Sequence, residues 1–347
     1  MSVPRLLFVP THKTGLAYAV ASLLAEIAAR GRVPVRLHHL GALGSAAVWD
    51  RWGGSGFIDP GLYGMKAAGD LYVKSMAEAQ LSLLSASVGL YDDGPSGSWT
   101  PAVVARKLDA PVVLLLDVRG WGRTLEHVLN GVRAAAEEIN IAGVIFCGAR
   151  DGAHVESIRR LVCGPNLPLV GALMDRDALT WDSPAPGVAN VPPFGDVTEM
   201  VALMEQRLDL DLVEQLAGQR GYLPDGGTVR DSEGPLVMVA SCRGFTPWSR
   251  DAIDMLRSAG TSVRRLDLAE DRELPHDTAG VIIAGHLWQD ALPHLADNYS
   301  LMRDLRVHVE DGLPLLALGG GMTYLLRRVQ DSYGRAHELA GVIPAGA

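Results

Sequence analysis

The chain is poor in cysteine and in positive charge, and each shortage excludes a class of protein. Its three cysteines, Cys147, Cys163 and Cys242, are widely separated and form no CxxC pair. A disulfide framework or a structural zinc site is therefore not expected. The formal net charge of −9 argues against general nucleic-acid binding, because that function needs a basic surface.

Long hydrophobic runs are also missing. Apolar residues make up 48% of the chain, yet no run reaches the roughly 18 uninterrupted apolar residues that a membrane span needs. The first five residues lead directly into the strand-like run 6–9 and lack the features of a signal peptide. We therefore expect a cytoplasmic protein that uses no membrane, and its 347 residues suffice for two domains.

Short apolar runs alternate with helical patterns along the whole chain, which is typical of βαβ units and parallel sheets. Predicted helices cover residues 19–29, 124–137, 155–161, 248–258 and 291–311. Predicted strands cover residues 5–9, 33–37, 111–117, 143–146, 167–173, 236–240, 262–266, 280–284 and 314–317. The pattern indicates an α/β protein with two three-layer α/β/α domains.

A polar stretch rich in glycine and proline, residues 221–235, separates two periodic regions and predicts a linker. The expected organisation is therefore a first domain over residues 1–220, this linker, and a second domain over residues 236–347.

The turn after the first predicted strand is where a phosphate-binding loop would lie. Such a loop needs glycines, a Lys that reaches the outer phosphates and a Ser or Thr for magnesium. Gly15 fits, but Leu16 and Ala17 follow it, and Lys13 precedes the glycine. The segment is either a plain connection between a strand and a helix or a residual phosphate site.

Several segments, in order, resemble the cobyrinate a,c-diamide synthase family. Phe57-Ile58-Asp59-Pro60 is similar to the end of that family's "GPDYIDP", and Gly89-Leu90-Tyr91-Asp92 is similar to "GLfDG". The run from Pro111 to Asp117 is similar to "PVvLVvD". Residues 314–325, PLLALGGGMTYL, resemble "PiyAECGGlmYL", and Gly341-Val342-Ile343-Pro344 resembles "GvlP".

The resemblance implies an N-terminal ligase domain of the dethiobiotin-synthetase type, related to P-loop NTPases. It also implies a C-terminal, flavodoxin-like domain of the class I glutamine amidotransferase type. Active members of the family use ATP to move ammonia from glutamine onto acetate side chains of a corrin-type tetrapyrrole.

The glutaminase half departs from the family at its reacting atom. Gly319 occupies the position of the family's nucleophilic Cys, and Leu318 the position of the Glu before it. The family's catalytic His lies well downstream of "GvlP" and has no counterpart in these 347 residues. Amide cleavage through a covalent intermediate requires that nucleophile, so no catalytic residue is assigned.

The ligase half departs as well. By the resemblance, Ser85 replaces a magnesium-associated Glu, His39 replaces a Lys, and Cys147 replaces an Asn that contacts the nucleotide base. Weak remnants of the nucleotide site are Lys13, Gly15, Asp59, Asp92 and Asp117, and aspartates at strand ends are often structural caps. These changes argue against Mg-ATP binding.

Two further clusters have open interpretations. His38 and His39, at a strand end, are either weak ligands of a metal or tetrapyrrole or a solvent-facing pair, and the sequence assigns no particular metal. Arg119, Trp121 and Arg123 either meet an acidic ligand or are ordinary surface groups.

The sequence favours a non-catalytic relative that binds a tetrapyrrole or serves as an accessory subunit in tetrapyrrole metabolism of the cobalamin type. The alternative is an active ATP-dependent amidoligase that uses ammonia or glutamine on tetrapyrrole carboxylates. With either function, we expect the chain to form a homo-oligomer or a complex with an intact paralogue.

Overall fold

The computed structural model describes residues 3–12, 16–31, 33–40, 55–76, 79–94, 97–136, 138–177, 198–219, 233–242, 245–247, 250–287 and 289–346. These residues form two compact units, one up to residue 219 and the other from residue 233 onward. Most of the predicted linker, together with Lys13 and Gly15, lies outside the described residues. Among the described residues, no helix has the length and apolar character that crossing a membrane requires.

A sheet of seven parallel strands forms the centre of the first unit, in the order β3-β2-β4-β1-β5-β6-β7. Continuous apolar runs such as the one before Asp117 suit strands that are covered on both faces. The strands are β1 Arg5–Pro10, β2 Val35–Leu40, β3 Ser55–Ile58, β4 Leu81–Ala86, β5 Val112–Asp117, β6 Ile141–Ala149 and β7 Leu169–Met174.

Helices cover both faces of this sheet. On one face, α1 Leu16–Arg30, α6 Thr198–Arg207 and α7 Leu210–Ala217 pack against the strands. On the other face lie α2 Pro60–Ser75, α3 Pro101–Leu108, α4 Thr124–Ala134 and α5 Gly152–Val162. The first unit is therefore a three-layer α/β/α sandwich, as the sequence predicts.

The second unit contains a smaller sheet with four parallel strands in the order β10-β8-β11-β12, and β9 pairs antiparallel with β11. The strands are β8 Leu236–Ala240, β9 Phe245–Pro247, β10 Ser262–Leu266, β11 Thr278–Leu287 and β12 Leu315–Gly319. Three short strands form a separate sheet: β13 Leu326–Gln330, β14 Ala336–Glu338 and β15 Ile343–Gly346. The helices are α8 Arg250–Ser258, α9 Leu292–Ala296, α10 Tyr299–Glu310 and α11 Gly320–Leu325. The mainly parallel α/β class predicted from the sequence is confirmed.

Several predicted elements differ in extent from the observed ones, and two of these differences change an interpretation. The single helix predicted over residues 291–311 is interrupted at Asp297 and Asn298, because the Asn298 side chain accepts a hydrogen bond from the Leu301 amide and begins a new helix. Strand β2 ends at Leu40 rather than at Leu37. His38 and His39, which the sequence predicts at a strand end, therefore lie within the strand.

Candidate functional site

The carboxyl ends of the parallel strands in the first unit define the candidate ligand edge. Strand β1 lies between β4 and β5, so the chain order reverses around it. In open α/β sheets, ligands bind beyond the carboxyl ends of the strands at such a reversal. Thr11 and His12 follow β1 at this point, and the loops after β4 and β5 flank them.

The loop after β4 packs directly on the residues that follow β1. A side chain at Gly89 would place its Cβ 3.0 Å from the Thr11 carbonyl oxygen. The Gly89 amide donates a hydrogen bond of 3.0 Å to the Asp92 carboxylate. Asp92 is therefore at the candidate edge, and one of its oxygens is used in its own turn.

Asp117, at the end of β5, is held by Arg119. The Arg119 amide donates to the Asp117 carboxylate at 3.0 Å, and the guanidinium donates to both oxygens at 2.6 to 3.1 Å. Partial burial acts to raise the pKa of Asp117, but the hydrogen bonds from Arg119 and the nearby His12 outweigh it and lower that pKa. The Asp117 carboxylate is thus a stable anion, and its charge is balanced by the Arg119 guanidinium of the same loop.

Asp59 follows β3 and begins helix α2. Its carboxylate accepts hydrogen bonds from the Gly61 amide at 2.9 Å and from the Trp99 indole N–H at 3.3 Å. Asp59, Asp92 and Asp117 therefore share one edge of the sheet, but each is bonded within a different local structure. Nowhere in the described part of the chain do three or more His, Cys, Asp or Glu side chains form a group that could hold a metal.

His38 and His39 point to opposite faces of β2 and are both buried, so the alternative of a solvent-facing pair is wrong. His38 Nε2 lies 2.7 Å from Ser75 Oγ, and its ring meets the Tyr72 ring edge-on, with centroids 4.9 Å apart. His39 Nδ1 lies 2.6 Å from Ser85 Oγ on β4. Burial lowers the pKa of His39 to about 3, so this ring is neutral at physiological pH.

Cys147 lies near the end of β6, and burial strongly raises the pKa of its thiol. Its carbonyl oxygen accepts a hydrogen bond from the Val118 amide, which ties the loop after β5 to β6. A thiol in this state is a small apolar group. By the resemblance, Cys147 replaces an Asn that contacts the nucleotide base, and only the structure shows that its side chain is enclosed.

The second place of interest is the turn between β12 and α11. Gly319 has φ 58° and ψ −122°, a backbone conformation that residues with a side chain rarely adopt. A Cβ on Gly320 would lie 2.3 Å from the Leu287 amide nitrogen, and a Cβ on Gly321 would lie 1.6 Å from the Ile283 carbonyl oxygen. The three glycines therefore serve a sharp, closely packed turn from strand to helix.

Such a strained turn is the backbone form that presents a nucleophile in several hydrolase folds. Here the residue at its tip has no side chain. Cys242 does not substitute for the missing thiol, because it is buried, its backbone pairs with Phe245, and burial raises its pKa to about 12. The sequence signal "GGG" indicates a tight turn, but the strained φ of Gly319 follows only from the structure.

The fold and these two sites define the class of the protein. It is a two-unit α/β protein with a switch-point edge in its first unit and a strand-turn-helix elbow in its second.

No family model matches the chain, but curated relatives do. It is 25% identical over 285 residues to a cobyrinate a,c-diamide synthase from Picrophilus torridus, covering 79% of this chain and 64% of that protein. It is 27% identical over 308 residues to a hydrogenobyrinate a,c-diamide synthase from Mycobacterium tuberculosis strain H37Rv, covering 84% of this chain and 66% of that protein. The chain thus spans about two thirds of the length of these relatives. These comparisons support the cobyrinate a,c-diamide synthase family for this chain.

Among solved structures, chloroplast FtsY from Physcomitrella patens matches 62% of this chain and 66% of its own, with a TM-score of 0.35 and 16% identity. FtsY from Mycoplasma mycoides matches with a TM-score of 0.34 and 11% identity. Similarity at this level supports no conclusion about function.

Proposed function

We propose that this chain is a non-catalytic member of the family that binds a tetrapyrrole at the carboxyl edge of the first unit. The observation that carries this proposal is Gly319. The sharp turn from strand to helix has a positive φ at this residue, but glycine cannot form a covalent intermediate with a glutamine amide. The printed names of the relatives, cobyrinate and hydrogenobyrinate synthases, point to a tetrapyrrole as the ligand class.

The core beneath the ligand edge supports the same proposal. By the resemblance, the family has a Lys where this chain has His39 and a magnesium-associated Glu where it has Ser85. Here the two side chains are fully buried and lie 2.6 Å apart. A neutral histidine hydrogen-bonded to a serine supplies neither the cation that balances a triphosphate nor an anionic oxygen ligand for magnesium.

The exposed groups at the edge suit an acidic, planar ligand. Arg119 is half exposed while it bonds to Asp117, and Trp121 is 40% exposed in the same loop. Arg123 and His12 are exposed as well. Guanidinium groups bind carboxylates well, and an indole face offers a surface for stacking.

A titration of the purified protein with haem, sirohaem and a corrinoid, followed by absorbance, tests the proposal. We expect a saturable spectral shift with at least one of them. We expect Arg119→Gln to weaken binding about tenfold, because one charge-assisted hydrogen bond contributes roughly 1.5 kcal/mol. Arg159→Gln is a matched control, because Arg159 is also half exposed and also paired, in its case with Glu156 on α5.

Turnover assays separate this function from the active alternative. The protein is incubated with Mg-ATP, a tetrapyrrole acid, and glutamine or ammonia, and amide products are analysed by mass spectrometry. We expect no product and no nucleotide binding by calorimetry at millimolar concentration. Amide formation would establish an active amidoligase and would overturn the proposal.

A further inference from the structure

His12 lies at the centre of the candidate ligand edge, directly after β1, where the chain order reverses. The residue before it is held on both sides. The Thr11 amide donates a hydrogen bond of 3.1 Å to the Leu115 carbonyl oxygen on β5, and Gly89 of the loop after β4 packs on the Thr11 carbonyl oxygen. The His12 imidazole is therefore an exposed group on a fixed backbone at the place where open α/β sheets bind ligands.

The His12 ring has the hydrogen-bonding pattern of a metal ligand. Its Nδ1 lies 3.4 Å from Thr11 Oγ1. When this hydroxyl accepts a long hydrogen bond from Nδ1–H, the ring proton is held on Nδ1 and the lone pair of Nε2 remains for a ligand. A histidine that binds a metal commonly donates its other ring N–H to an oxygen in this way.

The other histidines of the first unit are less suited to that role. His38 and His39 are buried within β2, and His127 lies within α4 rather than after a strand. His154 follows β6 at the same edge, but its Nδ1 accepts a hydrogen bond of 3.3 Å from the Arg150 amide. The neutral His154 ring therefore carries its proton on Nε2 and has no lone pair left for a metal.

A single imidazole favours a metal that is already chelated. A free zinc ion usually takes three or four protein ligands, whereas the metal of a tetrapyrrole has four ring nitrogens and needs only an axial ligand such as histidine. In the neighbouring loop, Arg119 offers a guanidinium to acidic side chains and Trp121 offers an indole face to a planar ring. The edge thus matches a planar, acidic ligand that carries its own metal.

We infer that His12 Nε2 is an axial ligand to the metal of the bound tetrapyrrole. This inference rests on the proposed function, and it specifies that the ligand is a metal chelate rather than a metal-free ring. Binding then has two parts. Only a metallated ring forms the coordinate bond to His12, whereas a metal-free ring still makes the contacts of its carboxylates and its face.

Pairs of ligands that share a ring and its carboxylates but differ in the metal test this inference. The pairs are haem and protoporphyrin IX, sirohaem and sirohydrochlorin, and cobyrinate and hydrogenobyrinate, and the full chain is titrated with each by absorbance. We expect His12→Ala to weaken binding of the metallated ring about 100-fold or more, because changes in groups that only orient a metal ligand already cost roughly 10- to 100-fold. Binding of the metal-free ring should be unchanged, which also shows that the variant is folded.

His154→Ala is the matched control, because His154 follows a strand at the same edge, and it should bind both members of a pair as the parent chain does. Added imidazole should restore the parent's absorbance spectrum to the metallated complex of His12→Ala.

The outcomes separate this inference from the proposed function. If tetrapyrroles bind and His12→Ala holds the metallated ring as tightly as the parent chain does, the inference is wrong and the proposed function stands. An equal loss of both members of a pair in a His12→Ala variant that melts normally would also overturn it, since the side chain would then contact the ring without ligating the metal. If no member of any pair binds the parent chain, the proposed function and the inference both fail.

Discussion

At the scale of single residues, His39 shows how a polar side chain becomes part of a core. It is fully buried in the second strand of the sheet, and its Nδ1 is satisfied by Ser85 Oγ. From sequence alone, a histidine at a strand end is a candidate ligand of a metal or cofactor. Its enclosure, beside its hydrogen-bonding partner Ser85, makes it a neutral structural group in the folded chain.

This burial predicts a pH-dependent stability. Because the pKa of His39 falls from 6.5 to about 3 on folding, the unfolded chain binds a proton first as the pH drops. The contribution of the neutral His39 ring to the free energy of unfolding is therefore complete above pH 6.5 and is lost as the pH falls toward 3. The contribution between pH 7 and pH 5 is about 2 kcal/mol. His39→Asn should reduce the difference in free energy of unfolding between these pH values by about that amount.

Urea denaturation at the two pH values measures this difference. His127→Asn, at an exposed position in α4, is the control, and its pH dependence should match that of the parent. An equal pH dependence in the parent and in His39→Asn would show that His39 is not a buried neutral group.

At the scale of elements, the turn from β12 to α11 depends on backbone contacts that only glycine permits. A methyl group on Gly321 would meet the Ile283 carbonyl oxygen of β11, so either the helix or the strand would have to move. We expect Gly321→Ala to destabilise the second unit by about 3 kcal/mol or more, as overpacking does when the obstacle is backbone.

Gly131→Ala provides the opposite case. Gly131 lies within α4, and a Cβ there would meet nothing within 4 Å. That substitution should stabilise the chain by about 0.5–1 kcal/mol through helix propensity. Thermal unfolding of both variants beside the parent checks the signs, and a neutral Gly321→Ala would mean that the turn is looser than the structure shows.

Strand β4 shows why some elements escape prediction. The sequence pattern predicts no strand over residues 81–86, LSLLSA, where two serines interrupt the apolar run. In the structure both serines are buried and hydrogen-bonded, Ser82 to the Tyr72 hydroxyl and Ser85 to His39. The partners come from α2 and β2, so no local pattern shows that these serines can occupy a core.

At the scale of the whole molecule, activity of the family's type would need groups from several elements at once. Gly319→Cys should introduce a thiol at an exposed turn but no glutaminase turnover, because by the resemblance the family's catalytic His has no counterpart in these 347 residues. We expect the new thiol to react with iodoacetamide faster than the native cysteines, because burial raises the pKa of Cys147, Cys163 and Cys242.

Labelling of intact protein, analysed by mass spectrometry, follows that reaction, and the parent chain is the control. Release of ammonia from glutamine by Gly319→Cys would contradict the expectation and would show that the rest of the glutaminase site is present.

The sequence by itself determined the α/β class, nine of the strands and the order of the segments that resemble the family, and it shows that residue 319 is a glycine. Apolar periodicity and the loss of a side chain are local properties, so they can be read along the chain. Only the tertiary structure decided that His38 and His39 are enclosed and that Gly319 has a positive φ. Each of these depends on contacts between segments far apart in sequence, and a linear pattern contains no information about which segments meet.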